Sequence, residues 1–544
     1  MFDFSGLINA ILRKRSDDPV GNLKSATVWV QELPLADVHQ AQTEIVKALT
    51  SLNENRKMSL KERIRVVMYL DEKARGLQAQ LCRDYLAVID LPHAPEKAYL
   101  GTILSFWEEI ANAYQICIRS FAQEPINKLW PQIHLITLRG LYYYGMQAKW
   151  AHLRYLPVEA TVWRNLNRLY LFAEREGFEK NLYRPFPDME LETSCVAQYM
   201  HAQLLQLASP DSLLPGQIDL VDRWLYQWAK SVALEQEFRP HRQLYAVNLG
   251  DTKPARALRR NMLGEKYRYF GVGLLLVQIE KALEQLKAGE VPARIGLTED
   301  CRLPQCLDLI ELVENRWSRK NVERKHERTP QVKVVHVVQG LHDIVAQLKP
   351  GAKKRRRRPT GPLIDYQVTG YTVGGTPLEG TTQSEPHLFQ PHLEQWVMEN
   401  ESLSGCGATM NGNTQPLKIG TLVGLKPDSA RHFLIGVVRR INKNPAAKTY
   451  VGIETLSQTP IPVDLLTLPN GGHAPLRTDG IYLMELPEAQ QPRSLLLARQ
   501  EYEPGRLLRL EAQGKAYTIR LQHALAVGDD YARVTFEVLA RHHA

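Results

Sequence analysis

Three pairs of arginines in this 544-residue chain stand four apart: Arg164 with Arg168, Arg256 with Arg260, and Arg324 with Arg328. The spacing alone is weak, because in a helix it merely sets two cations on one wet face. The first two pairs fall in stretches that read as helix. The third immediately precedes a β-branched apolar run, Val332–Val338. Downstream of it lies Asn400-Glu401-Ser402-Leu403-Ser404-Gly405, directly after a second strand signal at Gln395–Met398. Guanidinium groups bond anions bidentately and stack on flat rings. Asn and Ser add short polar partners, and Gly permits a tight turn or a close backbone approach. Charge points to the same region. Arg316–Arg358 holds fourteen Lys or Arg against three acids, a net +11, whereas the whole chain carries +9. The remainder is close to −2, so an anion-seeking function belongs in or beside this segment.

These residues resemble the PilZ domain family, the bacterial receptor module for cyclic di-GMP. That family carries R-x-x-x-R ahead of its first strand and, at a strand turn, Asp or Asn followed by x-S-x-x-G. Arg324 and Arg328 match the first element, and Asn400, Ser402 and Gly405 match the second in full. Val451-Gly452-Ile453-Glu454 is similar to a later strand of the family. The resemblance covers residues 316–458 and implies a small β-barrel with cyclic di-GMP as its ligand. Arginines suit the two phosphates and two guanine faces of such a molecule. The two elements lie farther apart than is usual in the family. Residues 341–391 are therefore expected to form a basic insertion, which a barrel tolerates at small entropic cost.

That insertion contains six consecutive cations: Lys353, Lys354, Arg355, Arg356, Arg357 and Arg358. Such a run can hold nucleic acid or anionic lipid by counterion release. Few aromatics interleave it, so base stacking is not indicated, and an exposed loop tip is an equally simple reading. The chain has no G-x-x-x-x-G-K-S/T loop, no H-E-x-x-H and no G-x-S-x-G. It is read as a binding protein rather than an enzyme. The six cysteines are scattered, as befits a reducing compartment, and the near neighbours Cys301 and Cys306 lack the second pair a zinc site needs.

The elements that must position these residues fall into an α+β, multidomain order. Apolar positions recur at helical spacing in Ser105–Glu124, Thr161–Glu176, Val221–Leu234 and Leu274–Leu286. Residues 1–310 are therefore expected to be an all-α scaffold or partner-binding region, with no fixed repeat period. Past residue 330 the pattern turns to strands, with a short helix at Leu341–Leu348 and further strands at Gly420–Leu425, Phe433–Ile441 and Tyr450–Glu454. Short alternating runs between residues 466 and 544 give a second small β module. No apolar run approaches the roughly 20 residues of a spanning helix. At the start of the chain, cations Arg13–Arg15 follow the apolar stretch rather than precede it, unlike a signal peptide. The expectation is a cytoplasmic cyclic di-GMP effector that couples ligand binding at the barrel to a protein partner of the helical region. The alternative is a nucleic-acid-associated or assembly scaffold that uses residues 353–358, its barrel being free of ligand.

Overall fold

The computed structural model describes residues 19–89, 97–189, 191–319, 328–349, 393–410, 417–428, 430, 432–444, 446, 448–467, 476–487 and 491–543. Two compact units divide the chain: Met1–Arg324 with Arg440–Ala447, and Lys325–Arg439 with Lys448–Ala544.

The first unit is built on helices α1 (Leu23–Gln31), α2 (Val38–Glu54), α3 (Leu60–Val88), α4 (Lys97–Gln123), α5 (Trp130–Leu153), α6 (Ala160–Arg175), α7 (Cys195–Leu207) and α8 (Pro215–Trp228). Polar caps start several of them: Asn22 accepts from Ser25 N, Asp37 from Gln40 N, and Ser59 from Glu62 N. The apolar faces read from sequence close on one core that includes Ile110, Tyr114, Leu166, Trp224 and Ile279. Several charged groups buried in the helical unit are paired. Asp71 accepts from the hydroxyls of Tyr114 and Tyr143, with Arg139 alongside at 3.3 Å. Lys149 sits between Asp219 at 2.7 Å and Asp222 at 2.8 Å, and His201 meets the other oxygen of Asp222 at 2.8 Å.

The helical run is not unbroken. A three-stranded sheet, β1 (Tyr245–Asn248), β2 (Arg256–Ala257) and β3 (Tyr267–Phe270), in the order β2-β1-β3, precedes α9 (Gly273–Lys287) and α10 (Gln305–Trp317). Arg256 thus stands on a strand and Arg260 in the loop after it, not on the wet helix face that their spacing suggested. Strands this short offer too few residues for an alternation to register. Cysteine chemistry also departs from expectation. Cys301 and Cys306, their Cα atoms 5.2 Å apart, form a disulfide across the turn into α10, while Cys82, Cys117, Cys195 and Cys406 are free.

The second unit contains two closed six-stranded barrels. The first takes β4 (Thr329–Gln339), β5 (Glu394–Ser402), β6 (Gly405–Met410), β7 (Leu422–Pro427), β8 (Leu434–Lys443) and β9 (Thr449–Ser457) in the order β4-β5-β6-β9-β8-β7. The second takes β10 (Ile461–Thr467), β11 (Arg477–Leu483), β12 (Ser494–Ala498), β13 (Leu507–Ala512), β14 (Lys515–Val527) and β15 (Tyr531–His543) in the order β10-β11-β12-β15-β14-β13. A multidomain α+β chain, with a helical region followed by two small barrels, is what the pattern of the sequence implied.

The two barrels share a core. Helix α11 (Leu341–Leu348) places Leu341, Ile344 and Val345 in one apolar cluster with Ile435 and Val437 of the first barrel and Ile481, Leu483 and Leu496 of the second. Strand β12 explains the arrangement. Leu495 and Leu497 point into the second barrel, while Leu496 between them points at this seam, so all three are fully buried. Both ends of α11 are held by the second barrel. Asp530 accepts from the Leu341 N–H at 2.6 Å, and Lys349 donates to Asp464 at 2.8 Å and Asp479 at 2.9 Å. The stretch expected to be an insertion therefore opens with a packed helix.

Candidate ligand site on the first barrel

β4 runs from the arginine segment into the barrel and pairs with β5, which sets Pro330 opposite Asn400 and Thr329 opposite Glu401. The ladder is irregular on both sides of Asn400. The register shifts between Pro330 and Lys333 against β5, and again between Met398 and Asn400 against β6. Such bulges bend a strand and re-aim a side chain. Here the carboxamide of Asn400 lies over Gly407, where a Cβ would come 2.9 Å from its Nδ2. Arg328 Nη1 donates to Asn400 Oδ1 at 3.1 Å on the exposed surface. The other guanidinium N–H groups of Arg328 have no partner among the described residues.

Ser402 and Gly405 do a different job. The Ser402 hydroxyl donates to the Gly405 carbonyl at 3.0 Å and closes the β5–β6 hairpin. Gly405 is pressed against β9, where a Cβ would lie 2.3 Å from the Ile453 carbonyl oxygen. One half of the motif presents polar atoms, and the other half shapes the turn that presents them.

Across the sheet Gly407 pairs with Gly452, so the row Asn400, Gly407, Gly452 carries no bulky side chain beyond the asparagine. The result is a bare strip of barrel with charge at its margins. Arg439 Nε meets Glu454 Oε2 at 2.6 Å, and Lys333 lies 3.6 Å from Glu401. Cys406 beneath the strip is buried; desolvation pushes its thiol up to about 12, with Glu401 acting in the same sense and Arg328 against it. It is therefore a packing residue rather than a nucleophile. Chemically the strip suits a flat anionic molecule. Bare backbone accepts a ring at close range, while Arg328 supplies charge, a hydrogen-bonding fork and a stacking face.

Of the expected ligand residues, Arg328 and Asn400 come together, and Ser402 with Gly405 forms the adjoining turn. Arg324 lies outside the described residues, as do Lys353, Lys354, Arg355, Arg356, Arg357 and Arg358. Gly407 and Arg439 were not singled out from the sequence. Gly407 could have been found, because glycines at alternate positions of one strand share a face. Arg439 carried no local signal, since its partner is on another strand. Among the described residues no group of three or more His, Cys, Asp or Glu could hold a metal ion, and no helix is long and apolar enough to cross a membrane.

Comparison with family models gives two matches. Residues 24–240 match the model described as the cyclic-di-GMP receptor FimW, N-terminal domain, and residues 466–539 match the FimW C-terminal beta-barrel domain. Residues 241–465, which include the strip, fall outside both. Comparison with the curated proteins finds no match.

Proposed function

With two models of one family matching in chain order over more than half of the 544 residues, the chain belongs to the FimW family, and from that premise we propose that it is a cyclic di-GMP receptor whose ligand binds the first barrel. The single observation that carries the location is Arg328 poised on Asn400 at 3.1 Å, beside the glycine strip. In this reading Arg328 and Arg324 bond phosphate oxygens or the guanine edge and stack on the bases. Asn400 orients Arg328 and offers its own amide, while Ser402 and Gly405 fix the hairpin on which Asn400 stands.

The reading divides the work among residues 1–310 as a partner-binding scaffold, 316–458 as the PilZ-like sensor and 466–544 as the supporting β module. Arg328 lies at the entrance to β4, so ligand binding there favours one arrangement of the segment that enters the barrel. A partner that recognises one arrangement better is thereby coupled to the ligand. No catalytic step is required, and a cytoplasmic location is where the dinucleotide would be met.

Calorimetric titration of the full chain with cyclic di-GMP tests the reading. Saturable heat that is lost in Arg328→Ala and in Arg324→Ala supports it. Neither heat nor a thermal shift at high micromolar ligand would remove it.

A further inference from the structure

The helical unit carries a second cationic surface that the barrel site does not use. Lys253, Arg256, Arg259, Arg260 and Lys266 are all exposed, and none has an ion-pair partner among the described residues. They lie on β2, on the turn before it, and on the loop that joins it to β3. The Lys266 carbonyl accepts from Leu249 N at 2.9 Å, and its side chain lies against Gly250, which gathers the loop end and the turn of Lys253 at the Asn248 end of the sheet.

Beside these cations the surface is apolar. Phe238 and Leu263 are 40% and 57% exposed and wall an open pocket with Tyr269. The Phe238 ring lies 5.3 Å from that of Tyr269. Glu265 and Arg268 also border the pocket. Arg268 is already committed to Glu174 at 2.6 Å, so Glu265 adds an anionic point inside a basic surround.

We propose that this surface docks an acidic protein segment carrying one large apolar side chain. The apolar anchor seats between Phe238 and Leu263, and carboxylates on either side meet Arg256, Arg259 and Arg260. An open pocket with aromatic and aliphatic walls is how interfaces hold an anchor. Five unpaired cations give the charge complementarity that steers an acidic partner. The mixed sign at the pocket argues against the two other anionic partners. A continuous phosphate backbone or an anionic bilayer would set negative charge against Glu265, whereas a peptide can place its carboxylates beyond it. The inference specifies the partner chemistry of the helical region and rests on that part of the reading above, not on ligand binding by the barrel.

The test uses the full chain and fluorescence anisotropy with a short peptide of Asp, Glu and Ser around a central Phe. Parallel arms use the same peptide with Ser at the centre, single-stranded oligothymidylate, and vesicles of phosphatidylglycerol. The Phe peptide is expected to bind, to weaken about tenfold when the anchor is removed, and to weaken about tenfold or more in Arg259→Glu with Arg260→Glu. Arg256→Gln with Lys266→Gln is the milder second variant should the reversal disturb folding, which far-UV circular dichroism monitors. Cyclic di-GMP titration of the same variants should be unchanged, which separates this surface from the barrel site. Tighter binding of the oligonucleotide or the vesicles than of the peptide overturns the proposal. So does a peptide affinity that ignores the charge changes in a folded variant.

Discussion

Arg328 Nη1 donates to Asn400 Oδ1 at 3.1 Å, joining two residues that lie 72 apart in the chain. The contact is exposed, so it adds little to stability and much to presentation: a long side chain is held in one place before any ligand arrives.

Arg328→Ala and Asn400→Ala should each weaken cyclic di-GMP binding roughly 10- to 100-fold, the scale of a hydrogen bond to a charged group. The melting temperature should stay within about 1–2 °C, because surface changes away from special features alter stability little. Calorimetry beside a thermal melt checks both halves. Equal loss in melt and affinity would mean that the pair is structural.

The two glycines of the hairpin should separate fold from site. In Gly405→Ala the new methyl meets the rigid Ile453 carbonyl, and a loss of about 2 kcal/mol or more is expected in chemical denaturation. In Gly407→Ala it meets the movable end of Asn400, so stability should hold while dinucleotide affinity falls. Identical profiles for the two variants would contradict the division of labour within the motif.

Acid should loosen the clamp on α11. Burial pushes the Asp464 carboxyl up, but its hydrogen bonds to Arg477 and Lys349 outweigh that and hold it below the ordinary 3.8. A carboxylate depressed in the folded state contributes stability above its unfolded value, and that contribution is lost as pH falls through the folded one. The barrel melt should therefore decline below about pH 4, and less steeply in Asp464→Asn. Asp530→Ala, which uncaps Leu341, should cost about 1 kcal/mol at neutral pH.

His152 makes the helical unit acid-sensitive at milder pH. Burial pushes it down from 6.5 to about 4, the charge of Asp222 only partly opposing, and its Nε2 is buried with no hydrogen-bond partner among the described residues. The unfolded imidazole takes up a proton near pH 6.5 and the folded one does not. Stability is thus complete above that pH and declines between 6.5 and about 4, by on the order of 3 kcal/mol. His152→Phe should flatten that slope in denaturant titrations of the full chain.

Replacing Lys353–Arg358 with Ser and Gly should leave cyclic di-GMP affinity within about twofold, since the proposed reading assigns the ligand to Arg324, Arg328 and Asn400 and not to this run. A salt-dependent mobility shift with RNA or DNA that disappears in this variant would favour the scaffold reading instead.

Much of this architecture was legible where local pattern and burial agree. Leu341–Leu348 reads as a helix and is one, because its apolar positions recur at helical spacing on a buried face. β6 was missed because Gly405-Cys406-Gly407 reads as a turn, although Gly405 is there for the close approach of β9 and Gly407 for the carboxamide of Asn400. β10 was missed because Pro462 and Asp464 interrupt its alternation, and the fate of Asp464 is fixed by Lys349, far away in sequence. The ligand motif was readable as spelling. Which of its members point outward was not, because two bulges decide it.

β4 joins Arg328 at one end to Gly340 and the Asp530 cap at the other. Eleven extended residues make it a strut roughly 35 Å long. Because both barrels grip α11 just beyond it, the far end is anchored and cannot yield separately. The second barrel is thus a footing: a load applied at Arg328 cannot be spent in a hinge between the barrels.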